Sequence, residues 1–174
     1  QLRAHLRMTE PERQAAKTPE DYMRLALALA DEAAAEGEVP VGAVVVRGGE
    51  VIGTGRNRRE GMRHALAHAE LEAIDEACRR AGGWRLFGGE IYVTLEPCPM
   101  CAGAILNARL DRVIFGAPDP KAGCCGTLTD LYALPFNHHP AVQGGLLQEE
   151  CAARLTAFFR ALRRRPPSGR QPKR

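Results

Sequence analysis

Several features that would assign a chain to a large class of proteins are missing from this sequence of 174 residues. No run approaches the roughly 18–20 consecutive apolar residues that a membrane-spanning helix needs, so no membrane partner is expected. No basic and then apolar segment near Gln1 is typical of a secretion signal, so a cytoplasmic location is expected. The six cysteines are therefore not expected to form a disulfide framework. A pair of closely spaced cysteines in such a chain indicates metal or redox chemistry.

Acidic side chains are also missing from residues 151–174, which contain eight basic ones. The other 150 residues hold 16 of the 24 basic groups and all 21 acidic groups, a net charge of −5, although the whole chain carries +3. A basic tail of this kind suits a polyanionic partner such as RNA. A solubilising terminus without a binding role is an equal alternative.

Hydrophobic periodicity and turn signals predict one α/β domain over residues 18–165, between a flexible N-terminal segment (1–17) and a basic disordered tail (166–174). The predicted order is α-β-β-α-β-α-β-α-β-α. The connection from 117 to 140 is long and contains a helical piece at about 128–133, which favours a parallel crossover over a hairpin. We therefore expect three layers, with a mixed five-stranded sheet and helices on both faces. The last helix, at about 149–164, is predicted to bury Cys151, Leu155, Phe158 and Leu162.

Two short segments carry residue types that bind metals. His68 lies at the predicted start of the second helix, and Cys98 and Cys101 lie at the start of the third. Residues three apart share a face of a helix, and the positive end of the helix lowers the pKa of a thiol. One nitrogen and two sulfur donors suit Zn²⁺, and three protein ligands leave a fourth position open, as in catalytic zinc sites.

Glu70 follows His68 by two residues, and from the first turn of a helix its long side chain can still reach an open metal position. A carboxylate beside an activated water can take its proton and pass it to a leaving group. The residue types therefore indicate hydrolytic attack on an electron-poor carbon. Glu70 alone would be taken for an ordinary exposed acid.

Other interpretations of these residues remain open. Cys98 and Cys101 are also compatible with a thioredoxin-like redox pair, or with a closed structural zinc site that includes His64 and His68. Cys124 and Cys125 are interpreted as small loop residues, with an accessory redox role as the alternative. His138 and His139 are expected in a surface loop.

The segments around these residues resemble the zinc-dependent nucleobase deaminases, whose signature is H-x-E followed by P-C-x-x-C. The likeness extends from about Tyr22 to Arg163, and it is greatest to the branch that deaminates adenosine in bacterial tRNA. The supporting stretches are Glu38–Val46, Asn57, Ala67–Glu70, Leu95–Ile105, Arg112–Ala117, Asp119–Gly123 and Phe158–Arg160.

The resemblance implies a cytidine-deaminase-like fold, one Zn²⁺ per subunit and no organic cofactor. It implies that zinc-bound hydroxide attacks C6 of the wobble adenosine in a tRNA anticodon stem-loop, that of an arginine tRNA in this family, and leaves inosine. It also implies a homodimer. The residue roles that it implies are His68, Cys98 and Cys101 as zinc ligands, Glu70 as proton shuttle, and Asn57, Asp119, Lys121, Phe158, Phe159 and Arg160 as substrate contacts.

Two other functions remain as alternatives at this point. The zinc signature is shared with deaminases that act on free guanine or cytidine. A protein of another class, a non-catalytic RNA-binding module stabilised by zinc, would hold its metal with four protein ligands.

Overall fold

A computed structural model describes residues 18–165. The predicted flexible segment 1–17 and the predicted disordered tail 166–174 lie outside the described residues. The helices and strands are, in chain order, α1 (Pro19–Ala35), β1 (Gly42–Arg47), β2 (Glu50–Arg56), α2 (Arg59–Met62), α3 (Ala69–Ala81), β3 (Gly89–Leu95), α4 (Pro99–Asn107), β4 (Arg112–Ala117), a 3₁₀ turn (Leu131–Ala133), β5 (Ala141–Gly144) and α5 (Gln148–Arg164).

The first helix begins where the sequence predicts. The Thr18 hydroxyl accepts a hydrogen bond from the Asp21 amide at 3.1 Å, and the Asp21 carboxylate accepts one from the Thr18 amide at 3.2 Å. This reciprocal cap satisfies two amides that the first turn of a helix leaves unpaired. Pro19 takes the first helical position, where the missing amide costs nothing.

The five strands form one mixed sheet in the order β2-β1-β3-β4-β5. β1 is antiparallel to both β2 and β3, whereas β4 is parallel to β3 and β5 is parallel to β4. The predicted parallel crossover is therefore confirmed. Because β1 is antiparallel to both of its neighbours, β2 and β3 run in the same direction. Their carboxyl ends consequently lie at one edge of the sheet, and α3 and α4 begin after that edge.

Helices cover both faces of the sheet, as predicted. One apolar cluster joins α3 and α4 to the sheet, and a second joins α1 and α5 to the opposite face. The first cluster includes Ala73, Ala77, Ile105, Val45 and Ile91, and the second includes Met23, Leu27, Val44, Tyr92 and Cys151. The observed architecture is a three-layer α/β domain with the core on both sides of the sheet.

Close packing of α3 on β2 depends on two glycines. A Cβ at Gly55 would overlap the carbonyl oxygen of Ala69, and a Cβ at Gly53 would overlap that of Ala73. Only glycine lets the backbone of a strand approach a helix this closely. The position of α3, which follows His68 and carries Glu70, is therefore set by direct contact with β2.

The structure differs from the sequence-based expectation in three places. Leu162 is 48% exposed rather than buried, and in α5 only Cys151 is fully buried while Leu155 and Phe158 are partly covered. Apolar periodicity in the last two turns of α5 therefore does not mark a core face. The helical piece predicted at 128–133 is reduced to the 3₁₀ turn, and the single turn of α2 has no counterpart in the predicted order.

Candidate active site

The three predicted metal ligands lie together at the sheet edge where β2 and β3 end. His68 is the residue immediately before α3, and Cys98 is the residue immediately before α4, with Cys101 in its first turn. Both helices begin beside this point, so the positive ends of both dipoles favour negatively charged ligands there. Two βα connections that are distant in sequence thus bring three donor atoms into one cluster.

The spacing of the donor atoms fits a small tetrahedral ion. The Nδ1 atom of His68 lies 3.7 Å from the Sγ atom of Cys98 and 3.5 Å from that of Cys101. Tetrahedral zinc with bonds of about 2.3 Å to sulfur and 2.0–2.1 Å to nitrogen requires donor separations of roughly 3.6 Å. The donor set of one imidazole and two thiols is also the one that suits zinc. The residues present therefore fit the metal that the sequence predicts.

Among residues 18–165, this cluster contains three protein donors and no fourth. The Nδ1 atom of His64 instead accepts a hydrogen bond from the Leu66 amide at 3.1 Å. His64 is thus outside the cluster, which removes the support for a closed site with two histidines. A three-donor cluster is the arrangement of catalytic rather than structural zinc sites.

The pKa values of the two thiols shift in opposite directions. A hydrogen bond from Cys101, together with one from His68, lowers the pKa of Cys98 to about 4. The same hydrogen bond raises the pKa of Cys101, which acts as the donor. The hydrogen bond to Cys98 also raises the pKa of His68. The cluster therefore favours a thiolate at Cys98, which is the form that binds metals.

Glu70 lies beside the cluster and is almost completely buried, with 4% of its surface exposed. Burial raises its pKa to about 7, although contacts with its own backbone amide and with His68 oppose this shift. A buried carboxyl group is costly in a purely structural position. Its pKa is in the range expected of a group that exchanges protons near neutral pH.

A cleft of about 510 Å³ opens above the cluster. Of the predicted residues, those lining it are Asn57, His68, Glu70, Cys98, Asp119, Lys121 and Phe159. Phe158 lies instead against a separate groove between α1 and α5, and Arg160 lines neither cavity. Phe158 contacts the ring of Phe159 edge to face, with the centroids 5.4 Å apart. Eight of the ten predicted site residues therefore lie together, seven of them at the surface of the cleft and Cys101 buried in the donor cluster. The two exceptions are Phe158 and Arg160.

The predicted base-contacting residue Asn57 already has two partners in the protein. Its side-chain amide donates to the Val39 carbonyl at 3.3 Å, and its side-chain oxygen accepts from the Arg59 amide at 3.2 Å. An amide side chain has two donor hydrogens and two acceptor lone pairs, so one of each remains for a ligand. Asn57 is therefore held in a fixed orientation at the wall of the cleft.

The other histidines and cysteines singled out in the sequence lie in the connection between β4 and β5. The Nε2 atom of His138 lies 2.6 Å from the Leu110 carbonyl, and the Nδ1 atom of His139 lies 2.8 Å from the Tyr132 carbonyl. Cys124 and Cys125 are buried and unbridged in the loop after β4. None of these four side chains belongs to the donor cluster of the described residues.

Three residues around the cleft, Glu96, Arg59 and Glu38, have no role predicted from the sequence. Glu96 and Arg59 line the cleft, and Glu38 is buried behind it. A signal for Glu96 is present, because it directly precedes the P-C-x-x-C segment. An acid at the end of a buried strand needs a partner, and the sequence alone does not identify the backbone amides that provide it.

The fold and the three-donor cluster with its buried carboxyl group define a nucleobase deaminase. The family model for MafB19-like deaminases matches residues 18–163. A tRNA-specific adenosine deaminase from Bacillus subtilis is 51% identical over 151 residues, which are 86% of this chain and 94% of that protein. The chain belongs to the family of tRNA-specific adenosine deaminases.

Solved structures support the nucleobase deaminase class, and one of them comes from work on tRNA deaminases. A structure from a study of A-to-I editing by tRNA:A34 deaminases at the wobble position is 44% identical, has a TM-score of 0.74, and covers 77% of this chain and 98% of its own. A guanine deaminase from Bacillus subtilis is 30% identical with a TM-score of 0.58, over 88% of this chain and 98% of its own. No helix among the described residues is long and apolar enough to span a membrane.

Proposed function

We propose that this chain hydrolyses the wobble adenosine in the anticodon loop of a tRNA, that of an arginine tRNA, to inosine. The observation that carries this proposal is the burial of Glu70 beside three metal-ligating side chains at the base of a cleft. The 51% identity to a tRNA-specific adenosine deaminase favours adenosine in RNA over free guanine or cytidine as the substrate.

His68, Cys98 and Cys101 would hold one zinc ion per subunit through their Nδ1 and Sγ atoms. When bound, zinc supplies the Lewis acidity that makes water a nucleophile near neutral pH. Glu70 takes a proton from the attacking water and passes it to N1 of the adenine, and it then passes the second proton of that water to the C6 amino group. The C6 amino group then leaves as ammonia while the oxygen of the water stays on C6, so one water is consumed for each ammonia released.

The rest of the cleft supplies orientation. Asn57 lines one wall and offers one donor hydrogen and one acceptor lone pair to a base edge. Phe159 offers an aromatic face, which suits the stacking of an unpaired base. Lys121, in the loop after β4, offers a positive charge to the phosphate backbone. A wobble base lies in a single-stranded loop, where its extrusion costs least. Phe158 and Arg160, which lie away from the cleft, are proposed to contact the RNA outside the base pocket.

A homodimer and a cytoplasmic location belong to the same proposal. Large apolar side chains are exposed in two chain segments, 62–66 and 128–136, which supports a partner surface there. They are Met62, Leu66, Leu128, Leu134 and Phe136. Sedimentation equilibrium is expected to give twice the chain mass, and a monomer at micromolar concentration would contradict this part of the proposal.

A substrate comparison tests the function. The zinc-loaded protein is incubated in parallel with an anticodon stem-loop of arginine tRNA, free adenosine, cytidine and guanine, and the products are resolved by mass. We expect inosine in the stem-loop at the wobble position and almost no product from the free compounds. Faster conversion of free guanine or cytidine would replace the proposal with a free-base deaminase, and zinc binding without any product would indicate a binding module.

A further inference from the structure

Two buried carboxylates lie outside the proposed chemistry. Glu38 and Glu96 are each 2% exposed, and within residues 18–165 neither is paired with a lysine or arginine. Burying a carboxylate is strongly unfavourable unless hydrogen bonds replace its hydration. The partners that replace the water therefore indicate what each side chain does.

Glu96 binds the loop that follows β4. Its two carboxylate oxygens accept hydrogen bonds from the amides of Asp119 at 3.1 Å, Cys125 at 3.0 Å and Thr127 at 3.2 Å. The hydroxyl of Thr127 donates a further hydrogen bond to the same group. Next to it, the Pro97 carbonyl accepts from the Cys124 amide at 2.9 Å. The loop 119–127 is thus attached directly to the two residues that precede Cys98.

The loop encloses this carboxylate without spare room. A Cβ at Gly123 would lie 2.5 Å from the Cδ and Oε2 atoms of Glu96 and 2.6 Å from the Asp119 carbonyl oxygen. The Asp119 carboxylate in turn accepts from the amides of Lys121 at 2.9 Å and Ala122 at 3.3 Å. Asp119, Lys121 and Ala122 line the cleft, so Glu96 fixes the position of this rim, which we call the 119–127 rim.

Glu38 has the same relation to the opposite rim. Its carboxylate accepts from the amides of Glu60 at 3.1 Å and Gly61 at 2.7 Å, both in the single turn of α2. A Cβ at Gly61 would lie 3.3 Å from a carboxylate oxygen of Glu38, so the approach is close here as well. The turn follows Asn57 and contains Arg59, and both of these residues line the cleft.

We infer that Glu96 and Glu38 are positioning residues that hold the two rims of the cleft in the geometry that receives an RNA nucleotide. The inference rests on the proposed function, because the rims matter only if a nucleotide binds between them. Rims that are ordered before binding avoid the entropy of ordering them on the substrate. Glu96 additionally joins its rim to the strand end that leads into Cys98, so this rim is anchored beside the metal site.

The test replaces each acid with its amide. In Glu96→Gln, an NH₂ group faces donors that need an acceptor, so the 119–127 rim should loosen. Glu90→Gln is the matched control, because Glu90 lies at the other end of β3 and its carboxylate binds Arg112 and Tyr92 away from the cleft. For Glu96→Gln and Glu38→Gln we expect KM for the stem-loop to rise about tenfold or more, with a smaller change in kcat and one zinc per chain retained.

Hydrogen exchange supplies a readout that is independent of activity. Exchange at the Cys125 and Thr127 amides should accelerate at least tenfold in Glu96→Gln and stay unchanged in Glu90→Gln. A role in folding alone would lower the amount of zinc-loaded protein while KM stayed at the wild-type value, and that result would overturn the inference. Unchanged exchange at both amides would overturn it as well.

A milder variant covers the case in which Glu96→Gln does not fold. Thr127→Val keeps the shape of the side chain and removes the hydroxyl donor, and KM should rise about threefold. Wild-type KM in Thr127→Val would then count against the inference. If wild-type protein failed to deaminate the stem-loop, the proposed function would fall, whereas normal wild-type activity with an unchanged KM in every variant would overturn only the positioning role.

Discussion

Replacing Gly55 with alanine should disturb the metal site indirectly, by displacing the start of α3 rather than by changing a proposed ligand. The new Cβ would overlap the backbone oxygen of Ala69, and backbone cannot rotate away as a side chain can. Non-bonded contacts are optimal at about 3.5–4.0 Å, so the start of α3 must withdraw from β2 by on the order of 1 Å. His68 directly precedes this turn and Glu70 follows Ala69, so both would shift relative to Cys98 and Cys101.

The expected effects follow from these magnitudes. Overpacking of this kind costs about 1–3 kcal/mol of the free energy of unfolding. A displacement of about 1 Å near reacting groups can reduce activity about 100-fold. We therefore expect Gly55→Ala to lower both zinc affinity, measured by competition with a chromophoric chelator, and kcat/KM for the stem-loop, while urea denaturation reports the loss of stability.

Gly53→Ala is the matched control. Its Cβ would overlap the carbonyl oxygen of Ala73, one turn further along the same helix, so a similar loss of stability is expected. The start of α3 should move less, and zinc affinity should remain closer to that of the wild type. Equal zinc affinity in the two variants would refute the argument that β2 sets the position of His68 and Glu70.

Three further predictions concern other parts of the molecule. Chelation of zinc should lower Tm, because a ligand present at about 1,000 times its Kd stabilises the folded state by about 4 kcal/mol; an unchanged Tm would mean that the cluster binds no metal in the folded protein. Arg56→Ala should cost about 2–4 kcal/mol, because Arg56 is buried against Glu32 and Glu36, whereas Arg79→Ala at an exposed ion pair should cost less than about 1 kcal/mol in the same denaturation assay. Truncation after Leu162 should weaken RNA binding and reduce the slope of log K against log salt by about 0.7 for each phosphate that the shortened chain no longer neutralises. An unchanged slope would show that the terminal basic groups do not contact the RNA.

The sequence is sufficient for most of the fold because its signals are local and agree with one another. Thr18, Pro19 and Asp21 predict the start of α1, and the long connection after β4 predicts the parallel crossover that the sheet contains. The three-donor cluster is predictable because metal ligands are few in type and fixed in spacing. The two glycines of β2 provide no comparable signal, because their role depends on a helix that packs from another part of the chain.

The differences between expectation and structure have a physical reason in common. Leu162 has the periodicity of a buried residue, but periodicity does not show whether another element lies opposite. Phe158 and Phe159 are adjacent in the sequence, yet adjacent residues on a helix point in different directions, and only Phe159 reaches the cleft. Glu96 and Glu38 have backbone amides from distant loops as their partners. One sequence therefore does not identify the main-chain partners of such residues, even where, as at Glu96, the position itself is conspicuous.

The central claim is that Glu70 transfers the proton in the reaction, whereas His68, Cys98 and Cys101 hold the metal. The most direct measurement is the yield of inosine in the arginine-tRNA stem-loop with Glu70→Gln, at equal zinc content, beside Asp75→Asn on the exposed side of the same helix. The account predicts bound zinc, a native Tm and almost no inosine for Glu70→Gln, with wild-type activity for Asp75→Asn. Near-normal inosine formation by zinc-loaded Glu70→Gln would contradict it.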